Sequence, residues 1–240
     1  MTADDPAGSG MDSESGDHYD QAYYEANGQL GDRPALWWYT QLATRYLGRG
    51  PVLDVGCGTG HFLRRLAQTG PADGLEVSDF SASTARQTSP SSDVFTDPAA
   101  LPAGRYSRFT GIHVVEHLTD EVLTGLLAAL RRAAAPGARY LFVTPDLSGA
   151  AQRLHGSGWN AYTDPTHINL KTHAQWRKVF RDSGFEILRE GSDGLWNVPY
   201  SSWPKPLDAA RYSLPMAAQF LSGRLWLKPG TGESSLFVLR

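Results

Sequence analysis

The sequence has a single cysteine, Cys57, among its 240 residues. That excludes an intrachain disulfide framework and any multi-cysteine zinc or iron–sulfur centre. It also lacks a long apolar run. The longest aliphatic-rich stretch, residues 122–130, is far short of the ~20 residues a membrane span requires. The acidic start carries no basic-then-apolar leader pattern, so a cytoplasmic protein with no membrane partner is expected. Lysine and arginine are missing from the first 32 residues, which hold eight acids (Asp4, Asp5, Asp12, Glu14, Asp17, Asp20, Glu25 and Asp32). The formal charge of −3 therefore divides into an acidic head and a remainder with 17 acids against 22 bases. Those bases occur as scattered pairs such as Arg64-Arg65 and Arg131-Arg132 rather than as one stripe, which argues against a nucleic-acid partner.

What is present is ordinary for a globular protein: 41% hydrophobic, 20% charged and 11% aromatic residues, enough for one domain with a substantial core. Residues 1–16, rich in Gly, Ser, Asp and Ala, read as a disordered lead-in. Residues 17–240 read as a single domain, beginning with an aromatic arm over 17–47 whose second half has helical spacing. From Pro51 strands and helices alternate. PVLDV, ADGLEV, DVFTD, FTGIHVV and RYLFVTP read as strands. Helices are expected over HFLRRLAQTG and over residues 120–134, the latter capped by Thr119 and stopped by Pro136-Gly137. A capping box at Thr172 and Gln175 opens WRKVFRDSG, and FEILRE and SLFVLR close the series. The pattern predicts an α/β fold with a doubly wound, mainly parallel sheet. Segment 194–230, with Trp196, Trp203, Trp226 and five prolines, breaks the rhythm and reads as a lid or a dimer surface.

The most informative residues are Asp54-Val55-Gly56-Cys57-Gly58-Thr59-Gly60, between the first strand and its helix. Glycines there permit a tight turn and close approach of the backbone to a ligand. His61 stands where a nicotinamide fingerprint would place its third glycine. Glu76, 20 residues beyond Gly56, is placed to accept both hydroxyls of a ribose, and Asp97 to meet an adenine amino group.

VLDVGCGTGHFLRRL, followed by GLEVS and HVVEHL, resembles the class I S-adenosylmethionine-dependent methyltransferases, and DPTHINLKTHAQWRKVFRDSGFEIL resembles the later part of their small-molecule members. The resemblance implies a Rossmann-like sheet of seven strands, the last antiparallel, with helices on both faces. It sets Asp54, Gly56, Gly58 and Gly60 at the amino-acid part of S-adenosylmethionine, Glu76 at its ribose and Asp97 at its adenine side; Cys57, a small packing residue within the loop, and Val77 are expected beside them. Tyr19 in the arm is expected to contact the cofactor or the acceptor, and His113 is expected as a further cofactor contact.

For the acceptor, His113, Glu116 and His117 close the fourth strand and His167 comes from a later loop. One of His113, His167 and His117 can serve as general base for a hydroxyl. Alternatively His113, Glu116, His117 and His167 gather a divalent metal. The ubiquinone-pathway and small-RNA 2′-O-methyltransferases carry a similar E-x-x-E-H motif that binds magnesium. Here His113 replaces the first Glu, which removes a hard oxygen ligand, so a metal is not the favoured reading. A third reading has Glu116 capping a helix start. Thr110 stands near the place of an acid often found in this family. The expected reaction is methylation of a hydroxyl on a small natural product or sugar by a monomer or homodimer. N-methylation of an amine such as an amino sugar, or a non-catalytic binding module, are the alternatives.

Overall fold

The computed structural model describes residues 31–196 and 200–240. The lead-in and Tyr19 therefore lie outside the described residues. Seven strands form one sheet: β1 (Val52–Val55), β2 (Ala72–Leu75), β3 (Val94–Phe95), β4 (Tyr106–Ile112), β5 (Ala134–Pro145), β6 (Ile187–Ser192) and β7 (Ser234–Leu239). Their order is β3-β2-β1-β4-β5-β7-β6. The pairs among β1 to β5 are parallel, and β7 runs antiparallel to both β5 and β6. This is the doubly wound sheet with an antiparallel last strand that the sequence predicts.

Helices α1 (Pro34–Tyr46), α2 (His61–Ala67) and α3 (Asp79–Thr88) cover one face, while α4 (Asp120–Ala133) and α7 (His173–Asp182) cover the other. Alternate strand residues serve the two faces. Leu141, Val143, Leu236 and Val238 join the core under α1 to α3, whereas Tyr140, Phe142, Phe237 and Leu239 join the one under α4 and α7. Between α4 and α7 in the chain lie α5 (Ala150–His155) and α6 (Asn160–Thr163). They pack with α8 (Lys205–Ser222) around a third, smaller cluster built on Trp159 and Tyr200.

The predicted caps are in place: Thr119 accepts from the N–H of Val122, and both halves of the Thr172–Gln175 box form. Two boundaries and one helix differ from expectation. Strand β4 is displaced toward the N-terminus and stops at Ile112, because His113 adopts a left-handed backbone (φ +55°) that no regular strand continues. Helix α4 ends before Pro136, at Ala133, since Ala134 already takes extended backbone and pairs with Tyr106. Helix α3, which buries only Ser81, Ala82 and Ala85, has no large apolar residue on its inner face to mark it in the sequence. Arg131 and Arg132 do fall in the last turn of α4, yet they donate to carbonyls of residues 183–184 and 98–101. No helix among the described residues is long and apolar enough to cross a membrane.

Candidate active site

A cavity of about 870 Å³ opens along the carboxyl edge of the sheet, where doubly wound folds bind ligands. Its first half lies over β1 and β2. The glycine loop is left-handed at Gly56, Gly58 and Gly60, with φ of +63°, +52° and +83°. Two of these glycines have packing reasons as well. A Cβ on Gly56 would meet Val114 Cγ2 at 2.5 Å, and one on Gly60 would meet Ala85 Cα at 2.7 Å. The turn is thus pressed between the loop after β4 and helix α3, and Gly60 itself does not line the cavity.

Glu76 leaves β2 and is fixed by backbone donors: Gly58 N–H reaches Oε2 and Ser78 N–H reaches Oε1, both at 2.9 Å. Burial raises its carboxyl pKa, and these donors partly offset the rise. Asp54, 2% exposed, accepts from Thr110 Oγ1 at 2.7 Å across the β1–β4 pair. Burial pushes Asp54 up to about 7 despite the Thr110 bond, with the Glu76 charge adding to the rise. Thr110, the residue that replaces an expected acid, thus spares the strand a second buried carboxylate. Cys57 and Val77 line the cavity. The Cys57 thiol is buried against Gly74 and its pKa is driven well up by desolvation, the environment of a packing residue rather than a nucleophile. Asp97 does not line the cavity. It is exposed and caps the short turn Pro98–Ala100, accepting from Ala99 N–H at 2.7 Å.

The second half lies over β4, β5, β7 and β6. His113 projects between the halves, with 39% of its side chain open to the cavity. Its Nδ1 lies 3.0 Å from Glu116 Oε1, and a carboxylate partner assigns the proton to Nδ1 and the lone pair to Nε2. Burial alone would lower the His113 pKa; the bond and charge of Glu116, with Asp193 beyond, reverse this and raise it. Glu116 is fully buried and held below the usual carboxylate range, because His113 and His117 outweigh its desolvation.

Three of the four proposed metal ligands do converge. Glu116, His117 and His167 each bring a ligand atom within 4.8 Å of the others. His113 is instead engaged with Glu116 through its ring nitrogen. Each converging imidazole gives its Nδ1–H to a backbone carbonyl, His117 to Thr166 (3.1 Å) and His167 to Ala161 (2.7 Å), which leaves Nε2 as the lone-pair nitrogen. Burial and the neighbouring His167 lower the His117 pKa, the neutral form a metal ligand needs. Glu116 Oε2 is buried with no hydrogen-bond partner among the described residues.

Sequence reasoning missed two carboxylates here, Asp193 and Glu233. Asp193 follows β6 and Glu233 precedes β7. Because these strands are antiparallel neighbours, both residues arrive at the carboxyl edge and line the cavity. Their positions at strand ends bordering the irregular segment were the available signal.

Segment 194–230 divides in two. Trp196 lines the cavity, while Leu207, Leu214 and Leu221, seven residues apart on α8, are exposed.

The fold and glycine loop define a nucleotide-type cofactor enzyme of the Rossmann-like kind. The family model described as "Methyltransferase domain" matches residues 32–190. The chain therefore belongs to that family and is a class I S-adenosylmethionine-dependent methyltransferase. No curated protein matches the sequence. Among solved structures, a possible histamine N-methyltransferase from Thermotoga maritima aligns with TM-score 0.63 and 15% identity over 92% of this chain and 98% of its own. Geranyl diphosphate C-methyltransferase from Streptomyces coelicolor aligns with TM-score 0.59 and 14% identity over 97% and 99%. A SAM-dependent methyltransferase from Archaeoglobus fulgidus gives 0.58 and 17% over 90% and 98%. At such identities these likenesses concern the fold.

Proposed function

We propose that this methyltransferase acts on a hydroxyl of a small molecule, a natural product or sugar, with His113 as general base. Bound S-adenosylmethionine supplies an electrophilic methyl group on sulfur. The residues of the first half fit that cofactor: Asp54 keeps its Oδ2 without a described partner for an ammonium group, and Glu76 is clamped rigidly at the end of β2 for a ribose. Gly58, Cys57 and Val77 form the wall between them.

One observation carries the acceptor reading. His113 stands at the junction of the two halves in a constrained backbone conformation, its Nδ1 locked to Glu116 and its Nε2 available to a hydroxyl proton. That arrangement positions a base oriented by a carboxylate, which contributes roughly 10²–10⁴-fold in rate. Holding an acceptor in line beside it supplies more. Transfer of labelled methyl into an acceptor panel, with mass spectrometry locating the methylated atom, tests this. Methyl on oxygen is expected, and methyl only on nitrogen or carbon contradicts it.

A second reading adds a metal ion, on the strength of the orphaned Glu116 Oε2 facing two imidazoles with fixed tautomers. Two nitrogens and one oxygen suit manganese, iron or zinc better than magnesium. Such an ion would acidify a bound hydroxyl. Under this reading Mn²⁺ binds the purified protein by calorimetry and EDTA abolishes turnover. Turnover unchanged by EDTA in protein shown to be metal-free removes the ion.

A further inference from the structure

We propose that the outer face of helix α8 joins two copies of this chain, the helices pairing antiparallel about a two-fold axis at Leu214. The proposal is independent of the acceptor's chemistry and concerns a surface that lies outside the cavity.

Helix α8 has two unlike faces. Asp208, Met216 and Gln219 are buried. Asp208 Oδ2 accepts from the Tyr200 N–H at 2.6 Å, and Gln219 Nε2 donates to the Ser192 carbonyl at 3.0 Å, so the inner face is already docked on its own chain. The outer face follows a seven-residue repeat. Leu207, Leu214 and Leu221 occupy one position, Ala210 and Ala217 the position three further on, and all five are exposed. This is the a/d spacing with which helices pair. Single exposed leucines are ordinary, but these are 57%, 65% and 76% open and in register, which makes a continuous apolar strip. Pro215, exposed beside Leu214, adds apolar surface and brings no N–H.

Spacing, charge and area assign the strip to a second copy. The leucines are evenly spaced about Leu214. A two-fold axis there sets Leu207 against the partner's Leu221 and Leu214 against the partner's Leu214, while the alanines let the helices approach closely. The bases of α8, Lys205 and Arg211, lie in its first half, and residues 212–222 carry no charge. Antiparallel pairing lays Lys205 beside the last turn of the partner helix, the negative end of its dipole, whereas parallel pairing would oppose base to base. Trp203 and Trp226, both exposed, flank the strip. The Arg211 guanidinium lies 5.3 Å from the Trp203 ring centroid, and the Trp226 N–H donates to Gln219 at 2.7 Å, which ties both residues to the helix. The leucines and the two half-exposed tryptophans offer on the order of 500 Å² of apolar surface per copy, most of the ~800 Å² per partner of a standard interface. A helix lying in a membrane surface borders its apolar face with many bases, and α8 has two. None of the strip residues lines the cavity, so pairing takes no wall from the site.

Sedimentation equilibrium of the full chain tests the proposal, with a dimer of the 26.2 kDa chain as the expected species. Leu214→Glu sets two carboxylates against each other across the axis and should weaken the dimer about a hundredfold or more. S-adenosylhomocysteine binding and thermal melting should be unchanged, because the residue is exposed. Leu214→Lys should act alike, and an equimolar mixture of the two variants should dimerise again, since Glu meets Lys only where Leu214 faces its own copy. Leu221→Glu serves if Leu214→Glu fails to fold. A wild-type chain monomeric up to about 100 µM, a dimer that survives Leu214→Glu, or a mixture that stays monomeric overturns the proposal. So does binding of the monomer to phosphatidylglycerol vesicles that Leu214→Glu abolishes, which assigns the strip to a lipid surface.

Discussion

Replacing Thr110 by Val is the sharpest probe of the site's electrostatics. The two side chains are nearly isosteric, so the change removes the hydroxyl that donates to Asp54 Oδ1 at 2.7 Å and little else. Both residues are buried, Thr110 completely. A hydrogen bond to an ionised group contributes ~1.5–3 kcal/mol, and one between neutral groups ~0.5–1.5 kcal/mol. Which applies depends on Asp54, whose pKa is lifted from 3.8 to about 7 by burial and held from rising further by Thr110. Between those two values the folded chain binds more protons than the unfolded one, so stability falls as pH rises through the window. Loss of the Thr110 bond raises the folded pKa further and extends that fall to higher pH. Urea denaturation of the unliganded protein should therefore show a loss of ~2–3 kcal/mol at pH 8.5 and ~1 kcal/mol at pH 5. In a chain of this size the larger figure lowers Tm by roughly 4–12 °C. No loss, or the same loss at both pH values, refutes the assignment of Thr110 as the donor that tempers a buried Asp54.

Asp54→Asn should flatten the pH dependence of stability between about pH 4 and 7, where the raised carboxyl acts; an unaltered slope assigns it to other groups. Gly60→Ala must place a Cβ 2.7 Å from Ala85 Cα in a left-handed backbone, which predicts a loss of ~2–4 kcal/mol in urea, and wild-type stability contradicts the packing described for the loop. His113→Ala, assayed at saturating cofactor with an acceptor from the panel, should lower kcat by about 10²–10⁴. A change under threefold would remove it as the base.

The sheet was legible because its strands are short apolar runs with turn residues between them, and alternation along β5 and β7 divides the two faces cleanly. The glycine loop was legible from spacing alone, since three left-handed positions leave few other residues possible. Helix α3 was not, because serine and alanine fill its buried face where leucine would have marked it. The end of β4 was misplaced because Val114 and Val115 read as strand, and nothing local shows that His113 turns left-handed before them. The pairing of Asp193 with Glu233 was out of reach for a different reason. They lie 40 residues apart, and only the antiparallel insertion of β7 between β5 and β6 brings them to one edge. The set of three histidines and one glutamate was partly visible: the motif named its members, but the bond from His113 to Glu116 separates one of them from the converging three.

The account stands on a cofactor half built from Asp54, the glycine loop and Glu76. Calorimetric titration of S-adenosylmethionine into the purified chain tests it most directly, with NAD as the control and Glu76→Ala as the variant. Saturable one-to-one binding of S-adenosylmethionine, none of NAD, and an affinity reduced at least tenfold in Glu76→Ala are the predicted results. Absence of S-adenosylmethionine binding, or affinity unchanged by the loss of Glu76, would contradict it.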